Sequence, residues 1–223
     1  MSDTPFFSVI IPAFNAEDHI RKGLDSIREQ VFTDYEIIVV CDSCEDHTAD
    51  IAREYGARVF EVSYHLDGLT RNAGLDAARG DWILFMDDDD WFLHEFVFQQ
   101  LAEVVGKHDE DALCFSTIYG GQNYSRQSPD NVMVPVWTKC WRRSFIGDVR
   151  FSFRHCWSDC DFHNKLMRKP HKFVYWDMPM YYYNYNRQGS QTYNVYTAKV
   201  TEQYKAKPAF VELKEQKYTE RVK

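Results

Sequence analysis

The stretch WILFMDDDD, residues 82–90, is the most informative feature of this 223-residue chain. Its five apolar residues, bounded upstream by Gly80, predict a short buried β-strand. Four aspartates come directly after that strand. Side chains alternate along an extended chain, so we expect Asp87 and Asp89 to point the same way. Two like charges held this close raise each other's pKa and resist joint ionisation.

A divalent cation bound at this strand end would remove the conflict between the two carboxylates. Carboxylate oxygens suit Mg²⁺ or Mn²⁺, and Mg²⁺ usually takes one or two of them together with substrate phosphates. We therefore predict a Mn²⁺ or Mg²⁺ site that includes Asp87 and Asp89. The simpler alternative is an acidic turn that only caps the next helix.

The first half of the chain alternates strand and helix patterns on either side of this stretch. Its strands are almost wholly apolar, which is typical of a parallel sheet covered by helices on both faces. Strand–helix repetition of this kind predicts an α/β fold with right-handed crossovers. The expected strands span residues 8–11, 36–40, 57–62, 82–86 and 113–119, and the expected helices begin near residues 20, 46, 70 and 94.

The composition changes after residue 120, where Gly, Asn, Ser and Pro become frequent. We predict a loop over 120–130, a helix from Ser158 to about Lys169, and an aromatic strand or ledge over 181–185. Residues 196–223 carry seven Lys or Arg against four Glu, so we expect a basic C-terminal helical tail on an acidic chain.

Charge and hydropathy exclude several classes of protein. The net charge of −8 argues against a broad nucleic-acid surface. No apolar run approaches the roughly 20 residues of a membrane span, and the first residues lack the basic and apolar regions of a signal peptide. We therefore expect a cytoplasmic protein, with peripheral contact to the inner membrane face or a homodimer contact through the basic tail.

The six cysteines are expected to be free thiols, as is usual in a cytosolic protein. Cys41 and Cys44 form a CxxC pair at the end of a predicted strand. That pair is either two ordinary thiols, a redox-active pair or half of a zinc site, and no second CxxC is present. The histidines and cysteines within residues 155–163 are too crowded for a usual zinc spacing.

Several candidate ligand-binding residues fall at one edge of the predicted sheet. In open α/β sheets, ligands bind beyond the carboxyl ends of the strands. Residues 12–15, Asp42 and the acidic run each follow a strand. A nucleotide suits this arrangement, with Asp42 accepting the imide N–H of a uracil and Phe14 bordering the base. No GxxxxGK[ST] or GxGxxG loop is present, so we expect a metal to neutralise the phosphates.

Each of these residues also has a plainer interpretation. Asp42 is alternatively a helix cap together with Ser43, and Phe14 is alternatively a packing residue. Arg71 and Asn72 open a helix after a loop. An arginine at such a position reaches a phosphate or a carboxylate, or is simply solvated.

Four motifs in order resemble those of glycosyltransferase family 2. SVIIPAFN (8–15) resembles SVIIPxYN, and EIIVVCD (36–42) resembles EIIVVDD. RNAGL (71–75) with ARGD (78–81) resembles ARNxGL and AxGxY, and FMDDDDW (85–91) resembles FLDSDDW, which contains the DxD motif. The second half is more loosely similar: residues 136–143 resemble WNKLYRR, 157–162 resemble GEDWxF and 183–190 resemble YxYRxxxxS.

The resemblance implies a GT-A fold, a nucleotide-sugar donor and inversion at the anomeric carbon. It implies that Asp42 binds the base, that residues 87–89 bind the metal, the diphosphate and the ribose, and that Asp159 is the general base. Two departures stand out. Residues 41–44, CDSC, lack the DDGSxD pattern, and Ser158 replaces the glutamate of GED, which leaves Asp161 as the alternative base.

On this basis residues 1–120 are the nucleotide-sugar-binding α/β half and 121–195 the acceptor-binding half of one GT-A domain with a Rossmann-like, mostly parallel sheet. The predicted donor-binding residues are Pro12, Ala13, Phe14, Asn15, Asp42, Arg71, Asn72, Asp87 and Asp88. The predicted acceptor-binding residues are Trp137, Lys139, Trp157 and Arg187.

The expected activity is transfer of one sugar from a nucleotide-sugar, first of all a UDP-sugar, to a hydroxyl acceptor in polysaccharide or glycolipid synthesis. The QxxRW pattern of processive synthases is missing. One alternative is a non-catalytic nucleotide-sugar-binding module, because the second acidic motif is altered. Another is a metal-dependent phosphatase, although phosphatases with a DxD strand carry it near the N-terminus.

Overall fold

The computed structural model describes residues 4–105, 107, 109–120, 123–129, 132–153, 158–185 and 187. The chain divides into two compact units, Met1–Tyr183 and Asn184–Lys223. Of the second unit only residues 184, 185 and 187 are described, so the architecture below is that of the first unit. The predicted basic tail, 196–223, lies outside the described residues.

Strands and helices alternate through the first half, as the sequence pattern predicts. The strands are β1 (Phe7–Ala13), β2 (Tyr35–Asp42), β3 (Arg58–Val62), β4 (Trp82–Phe85), β5 (Trp91–Phe92), β6 (Ala112–Tyr119), β7 (Asn123–Ser125), β8 (Lys139–Arg142) and β9 (Phe173–Tyr183). The helices are α1 (Ile20–Arg28), α2 (Thr48–Glu54), α3 (Asp67–Ala77), α4 (Val97–Val105), α5 (Arg143–Ile146) and α6 (Ser158–Met167), with a 3₁₀ turn at Val136–Thr138.

One mixed sheet runs through both halves of the described unit. Its strand order is β3-β2-β1-β4-β8-β6-β9-β5, with β7 paired to β6. The first four strands are parallel, and in the central register Ile10 of β1 lies between Ile38 of β2 and Phe85 of β4. The strands β4, β8 and β6 then pair antiparallel, while β6 and β9 are parallel. The predicted α/β class and parallel first half are confirmed, and the sheet continues past residue 120.

Both faces of the sheet are buried, because its central strands carry apolar side chains at successive positions and therefore on both faces. On one face Val9 and Ile11 pack with Leu24 of α1. On the other face Ile10 and Phe85 pack in a second cluster of buried side chains. Alternating residues of one strand thus belong to two separate cores, which is what a strand covered by helices on each side requires.

Helix α3 lies unusually close to β1 because of Gly74. A Cβ atom at this position would sit 2.3 Å from Cγ2 of Ile10, far inside van der Waals contact. No side chain larger than hydrogen fits there without moving the helix. The close packing brings Arg71, one turn earlier on α3, down to the ends of the strands.

Several short elements were not predicted from the sequence. The predicted loop 120–130 contains β7, and β8 carries Lys139 and Arg142, so it has no apolar run to reveal it. The two-residue strand β5 follows the acidic run at once. Within the described residues, no helix is both long and apolar enough to cross a membrane.

Candidate active site

The carboxyl ends of β1, β2 and β4 lie side by side, because β1 pairs with both neighbours. The loops that follow these strands therefore meet at one edge of the sheet. The backbone N–H of Phe14 donates to Oδ2 of Asp88 at 3.2 Å. On the other side of that carboxylate, Nε2 of His19 lies 3.4 Å from Oδ1. The structure thus brings together the loop after β1 and the acidic run, as expected.

The four aspartates of the acidic run have different surroundings. Asp90 is fully buried and accepts a 2.6 Å hydrogen bond from the Tyr181 hydroxyl. The same hydroxyl accepts the backbone N–H of Asp87 at 3.1 Å. Asp87, Asp88 and Asp89 are only partly buried. Asp90 therefore stabilises the turn, whereas the preceding three carboxylates lie where a ligand can reach them.

Arg71 is the centre of an ionic cluster at the strand ends. Its buried guanidinium lies 2.5 Å from Oδ2 of Asp67, 2.7 Å from Oδ1 of Asp87 and 3.9 Å from Oδ1 of Asp159. Burial alone would lower the pKa of Arg71, but the three carboxylates raise it above its ordinary value. The guanidinium is thus a permanent cation that joins residues from α3, the acidic run and α6.

The carboxylates of this cluster are held in an electrostatically crowded environment. Burial raises the pKa of Asp87 to about 7, Arg71 opposes this effect, and the charges of Asp159 and Asp89 add to it. Burial also raises the pKa of Asp159, against the effect of Arg71. A single arginine does not compensate the negative charges around it, so a further cation or a hydrogen-bond donor at this edge would be stabilised.

Asp159 is the second residue of α6 and points toward the cluster. Its Oδ2 accepts the backbone N–H of Val136 at 3.2 Å, and the neighbouring Ser158 hydroxyl donates to Asp67 at 3.0 Å. The alternative base candidate, Asp161, lies about 200° round the helix from Asp159. It forms an ion pair of 2.6 Å with Lys165 instead. Asp159 is therefore the better placed of the two candidates, and its role as a base stays a prediction.

The carboxylate of Asp42 is hydrogen-bonded to donors of its own chain. It accepts the backbone N–H groups of residues 64, 65 and 66 at 2.7–3.1 Å and the hydroxyls of Thr70 and Ser43 at 2.8 and 3.2 Å. Burial alone would raise the pKa of Asp42, but these donors lower it. The carboxylate fixes the entry into α3, not α2, and its predicted bond to a base stays a prediction.

Asn72 also has a structural role that the sequence did not indicate. Its side-chain amide donates to the carbonyl of Phe151 at 3.0 Å and accepts the N–H of the same residue at 2.8 Å. Both ends of the amide are used by residue 151. Asn72 thus positions the segment before α6, and its predicted contact with the donor stays a prediction.

The remaining predicted donor residues lie on the loop after β1. Pro12 and Ala13 end the strand, and the Phe14 ring is 60% exposed beside Asp88. Asn15 has a left-handed backbone, φ +46°, and its Oδ1 accepts the N–H of Glu45 at 2.8 Å. An exposed aromatic ring at the edge of the sheet agrees with a contact to a planar base, and it does not agree with a packing role.

Two of the predicted acceptor residues are buried. Trp137 stacks on Tyr181 and Tyr183, with ring centroids 5.1 and 4.8 Å apart. Lys139 is fully buried and donates to the carbonyls of Met133 and Pro135. The aromatic stack and the buried carbonyls hold these two side chains in the core, and their contact with an acceptor stays a prediction. Trp157 lies outside the described residues, and Arg187 belongs to the second unit.

Three residues at this edge were missed by sequence reasoning. Asp67 had a usable signal, since it precedes Arg71 by one helical turn and an acid–arginine pair at that spacing is favourable. His19 and Tyr181 had none, because their contacts with Asp88 and Asp90 join residues 69 and 91 positions apart. Only the three-dimensional path of the chain brings such residues together.

The acidic run offers hard oxygen ligands for a cation. Among the residues that the structure describes, no group of three or more His, Cys, Asp or Glu side chains is arranged to hold a metal ion. A Mg²⁺ or Mn²⁺ ion bound chiefly by substrate phosphates needs only one or two carboxylates. Asp87 and Asp89 supply that chemistry at the end of a single strand, so the residues fit such an ion.

Sequence comparison assigns the chain to a family. The model of "Glycosyl transferase family 2" matches residues 8–173. The chain belongs to this family. EpsH of Bacillus subtilis is 30% identical over 176 residues, which cover 68% of this chain and 51% of EpsH. The chain therefore spans about half the length of that curated relative.

Solved structures share the fold. TarS of Staphylococcus aureus in complex with UDP-GlcNAc superposes with a TM-score of 0.76 at 24% identity, covering 90% of this chain and 64% of TarS. Glucosyl-3-phosphoglycerate synthase of Mycobacterium tuberculosis, in complex with Mn²⁺, UDP and glucosyl-3-phosphoglycerate, gives 0.58 at 20% identity and covers 82% and 73%. The family and the shared fold favour a glycosyltransferase over the phosphatase alternative.

Proposed function

We propose that this protein transfers one sugar from a nucleotide-sugar, with UDP as the nucleotide, to a hydroxyl group of a saccharide or lipid-linked acceptor. The family assignment supports glycosyl transfer. UDP is supported by the TarS complex with UDP-GlcNAc and by the synthase complex with UDP. TarS is named a poly(ribitol-phosphate) β-N-acetylglucosaminyltransferase and is 32% identical over 115 residues, which cover 20% of it.

The observation that carries the proposal is the cluster around Arg71. It joins Asp87, at the end of β4, to Asp159, at the start of α6. The two carboxylates come from the two halves of the domain that the sequence assigns to donor and acceptor. A sugar whose diphosphate lies at Asp87 would therefore have its anomeric carbon on the side where Asp159 meets the acceptor.

The proposed reaction is a single in-line displacement with inversion. The acceptor hydroxyl attacks the anomeric carbon while Asp159 takes the hydroxyl proton, and the bond to the diphosphate oxygen breaks. A positioned general base typically contributes about 10²–10⁴-fold to the rate. The raised pKa of Asp159 makes it a stronger base than an exposed aspartate. The Val136 N–H donates to Oδ2 of Asp159 and so holds the carboxylate in one orientation, with Oδ1 left to take the proton.

A divalent cation is part of the proposal. Asp87 and Asp89 would hold it, and the exposed Phe14 ring would border the base. The chemistry that Mn²⁺ or Mg²⁺ supplies when bound is neutralisation of charge on the departing nucleoside diphosphate. Arg71 limits the negative charge at Asp87, because its guanidinium lies 2.7 Å from that carboxylate.

Binding of UDP with and without Mn²⁺ tests the proposal. Calorimetry should give a measurable affinity for the wild-type protein with Mn²⁺ and a loss of about tenfold or more after chelation. Asp89→Asn should bind equally weakly in both conditions, whereas Asp81→Asn, an exposed carboxylate at the opposite strand end, should behave as wild type. Equal affinity with and without Mn²⁺ in the wild type would remove the metal from the proposal.

Turnover separates a transferase from a binding module. Slow release of UDP from a UDP-sugar in the presence of Mn²⁺ is the expected result, since water substitutes for the acceptor at a low rate. Tight binding with no release of UDP, and no transfer to any hydroxyl acceptor, would instead indicate a non-catalytic nucleotide-sugar-binding module. The hydrogen bonds that Asp42 accepts from its own backbone favour this second function, because they occupy the carboxylate that is predicted to bind the base.

A further inference from the structure

Three neighbouring loops at the nucleotide edge of the sheet contain unusual backbone conformations. Among the residues that the structure describes, the non-glycine residues with a left-handed backbone are Asn15, Ser43 and His65, with φ of +46°, +59° and +54°. They follow β1, β2 and β3 in turn, at the carboxyl ends of three adjacent parallel strands. Conformations of this kind are costly without glycine and cluster at functional sites. The loops after β2 and β3 are therefore candidates for contact with a ligand.

The side chains of Ser43, Ser63 and His65 meet beside Asp42. Oγ of Ser43 lies 3.2 Å from Oδ1 of Asp42. The same oxygen lies 3.3 Å from Oγ of Ser63 and 3.4 Å from Nε2 of His65. The N–H of Ser43 donates to the Val62 carbonyl at 2.8 Å, which fixes the loop after β2 against the end of β3. Ser63 and His65 are exposed and Ser43 is partly buried, so a ligand can reach this cluster.

Asp42 has no acceptor position left for a ligand. Its carboxylate accepts five hydrogen bonds, three on Oδ1 and two on Oδ2. The two oxygens of a carboxylate offer about four lone-pair positions. The charge of Asp42 therefore acts on a ligand through Ser43, because a hydroxyl that donates to a carboxylate becomes a stronger acceptor itself.

The Ser43 hydroxyl presents lone pairs, not a hydrogen, to a ligand. A serine hydroxyl has one hydrogen to donate and two acceptor positions. Of the three neighbours of its oxygen, Asp42 is the nearest and the only carboxylate, so the hydrogen points to Asp42 in a charge-assisted bond. In its contacts with Ser63 and His65, Ser43 is then the acceptor, and Nε2 of His65 carries a hydrogen. Both contacts are long for hydrogen bonds, so a donor on a ligand can replace them.

The loop after β1 connects this cluster to the acidic run. Glu45, two residues after Ser43, donates its N–H to Oδ1 of Asn15 at 2.8 Å. The adjacent Phe14 has an exposed ring and donates its N–H to Asp88 at 3.2 Å. The loop that carries Phe14 is thus bonded on one side to the loop of Ser43 and on the other to the acidic run. A nucleotide with its diphosphate at the acidic run and its base at Phe14 has the loop of Ser43 beside that base.

We infer that Ser43 determines the nucleotide specificity of the donor site, by accepting the N3–H of uracil while Nε2 of His65 donates to a neighbouring carbonyl of the base. Uracil presents a carbonyl, an N–H and a second carbonyl along this edge. Cytosine presents a lone pair at N3, which would face the lone pairs of Ser43, and such a repulsive contact excludes the wrong ligand. The inference rests on the function proposed above and adds to it the group that recognises the base.

Calorimetry with UDP and CDP, on the full-length protein in the presence of Mn²⁺, tests the inference. The two ligands share the ribose and the diphosphate, so the ratio of their affinities reports on the base alone. The wild-type protein should bind UDP at least about tenfold more tightly than CDP. Ser43→Gly should bind the two about equally and bind UDP more weakly than wild type. Glycine adopts a φ of +59° without strain, so the loop keeps its path while the hydroxyl is lost.

Two further variants complete the experiment. His65→Gly also suits a left-handed position, and it should weaken UDP binding while the preference for UDP over CDP remains, because Ser43 is still present. Ser144→Gly is the matched control and should behave as wild type. Ser144 is an exposed serine in α5, directly after β8, and Arg142 of β8 pairs with Trp82 at the opposite end of β4.

The outcomes separate the inference from the proposed function. A wild-type protein that binds UDP without preference over CDP would overturn the inference and leave the proposed function standing. The same holds if Ser43→Gly keeps the wild-type preference, or if His65→Gly alone removes it. If Ser43→Gly does not fold, as shown by circular dichroism, the wild-type ratio and His65→Gly still decide the question. A folded wild-type protein that binds neither ligand would contradict the proposed function and, with it, the inference.

Discussion

The Tyr181 hydroxyl donates a 2.6 Å hydrogen bond to Asp90, the last residue of the acidic run. It also accepts the N–H of Asp87, the first residue of that run, at 3.1 Å. Burial raises the pKa of Tyr181 well above its ordinary value, so the hydroxyl keeps its proton and stays a donor. One phenol therefore closes the turn of four aspartates, and the Trp137 ring stacked on it ties that turn to the second half of the domain.

We expect Tyr181→Phe to destabilise the protein and to weaken donor binding. The ring and its stacking remain, but the buried Asp90 carboxylate loses a donor and the Asp87 N–H loses its acceptor. Removing one hydrogen-bond partner from a buried polar group costs about 1–3 kcal/mol. Urea unfolding gives the change in free energy. Tyr64→Phe, at an exposed tyrosine, is the control and should leave the free energy of unfolding unchanged. A Tyr181→Phe variant as stable as this control would contradict the role of the hydroxyl.

Arg71 should be far more important for stability than a typical surface arginine. Its guanidinium is buried among three carboxylates, so Arg71→Gln leaves their charges uncompensated. Removing one partner of a buried ion pair costs about 3–5 kcal/mol. Arg79→Gln is the matched control, because Arg79 also pairs with a carboxylate but its side chain is 56% exposed. Exposed pairs contribute about 0–1 kcal/mol. Similar losses in the two variants would show that the cluster is not strongly coupled.

Stability should fall as the pH rises through the range in which Asp87 titrates. An aspartate has a pKa of about 4 in an unfolded chain, whereas burial raises the pKa of Asp87 to about 7 in the fold. Between these values the native state binds a proton that the unfolded state has released. The contribution of Asp87 is therefore complete below about pH 4, decreases up to about pH 7 and is then constant, with a slope of at most about 1.4 kcal/mol per pH unit.

Asp87→Asn removes this titration and isolates its effect. The free energy of unfolding, measured from about pH 5 to about pH 7, should fall less in this variant than in the wild type. Asp81→Asn, at an exposed carboxylate, should keep the wild-type slope. Asp159, whose pKa is also raised by burial, contributes in the same direction and remains in both variants. Identical slopes in Asp87→Asn and the wild type would contradict the raised pKa of Asp87.

The sequence predicts the parallel half of the fold well because its signals are local. The strands around Ile10, Ile38 and Phe85 are continuous apolar runs, and each ends in residues that break the run. Parallel pairing then places their carboxyl ends together without further information. The same reasoning fails at β8, where the ammonium group of buried Lys139 donates hydrogen bonds to backbone carbonyls. Nothing in the local sequence distinguishes such a lysine from a solvated one.

The candidate site was predictable in position but only partly in role. The order of strands places Asp87 and Asp42 at one edge, and the motif resemblance adds Asp159. Whether a carboxylate faces a ligand or its own chain depends on backbone N–H groups far along the sequence. The N–H groups of residues 64–66 hold the Asp42 carboxylate, and the backbone of Phe151 holds the Asn72 amide in the same way. These contacts cannot be predicted from the spacing of the residues in the sequence.

Asp159→Asn should separate catalysis from binding. The amide is the same size as the carboxylate and can still accept the Val136 N–H, but it cannot take a proton. We expect turnover of a UDP-sugar to fall by about 10²–10⁴-fold, while calorimetry with UDP and Mn²⁺ gives an unchanged affinity. Asp161→Asn is the matched control on the same helix and should retain wild-type turnover, because its carboxylate pairs with Lys165. If Asp161→Asn lost turnover and Asp159→Asn did not, the general base would be Asp161, and the cluster around Arg71 would serve the donor alone.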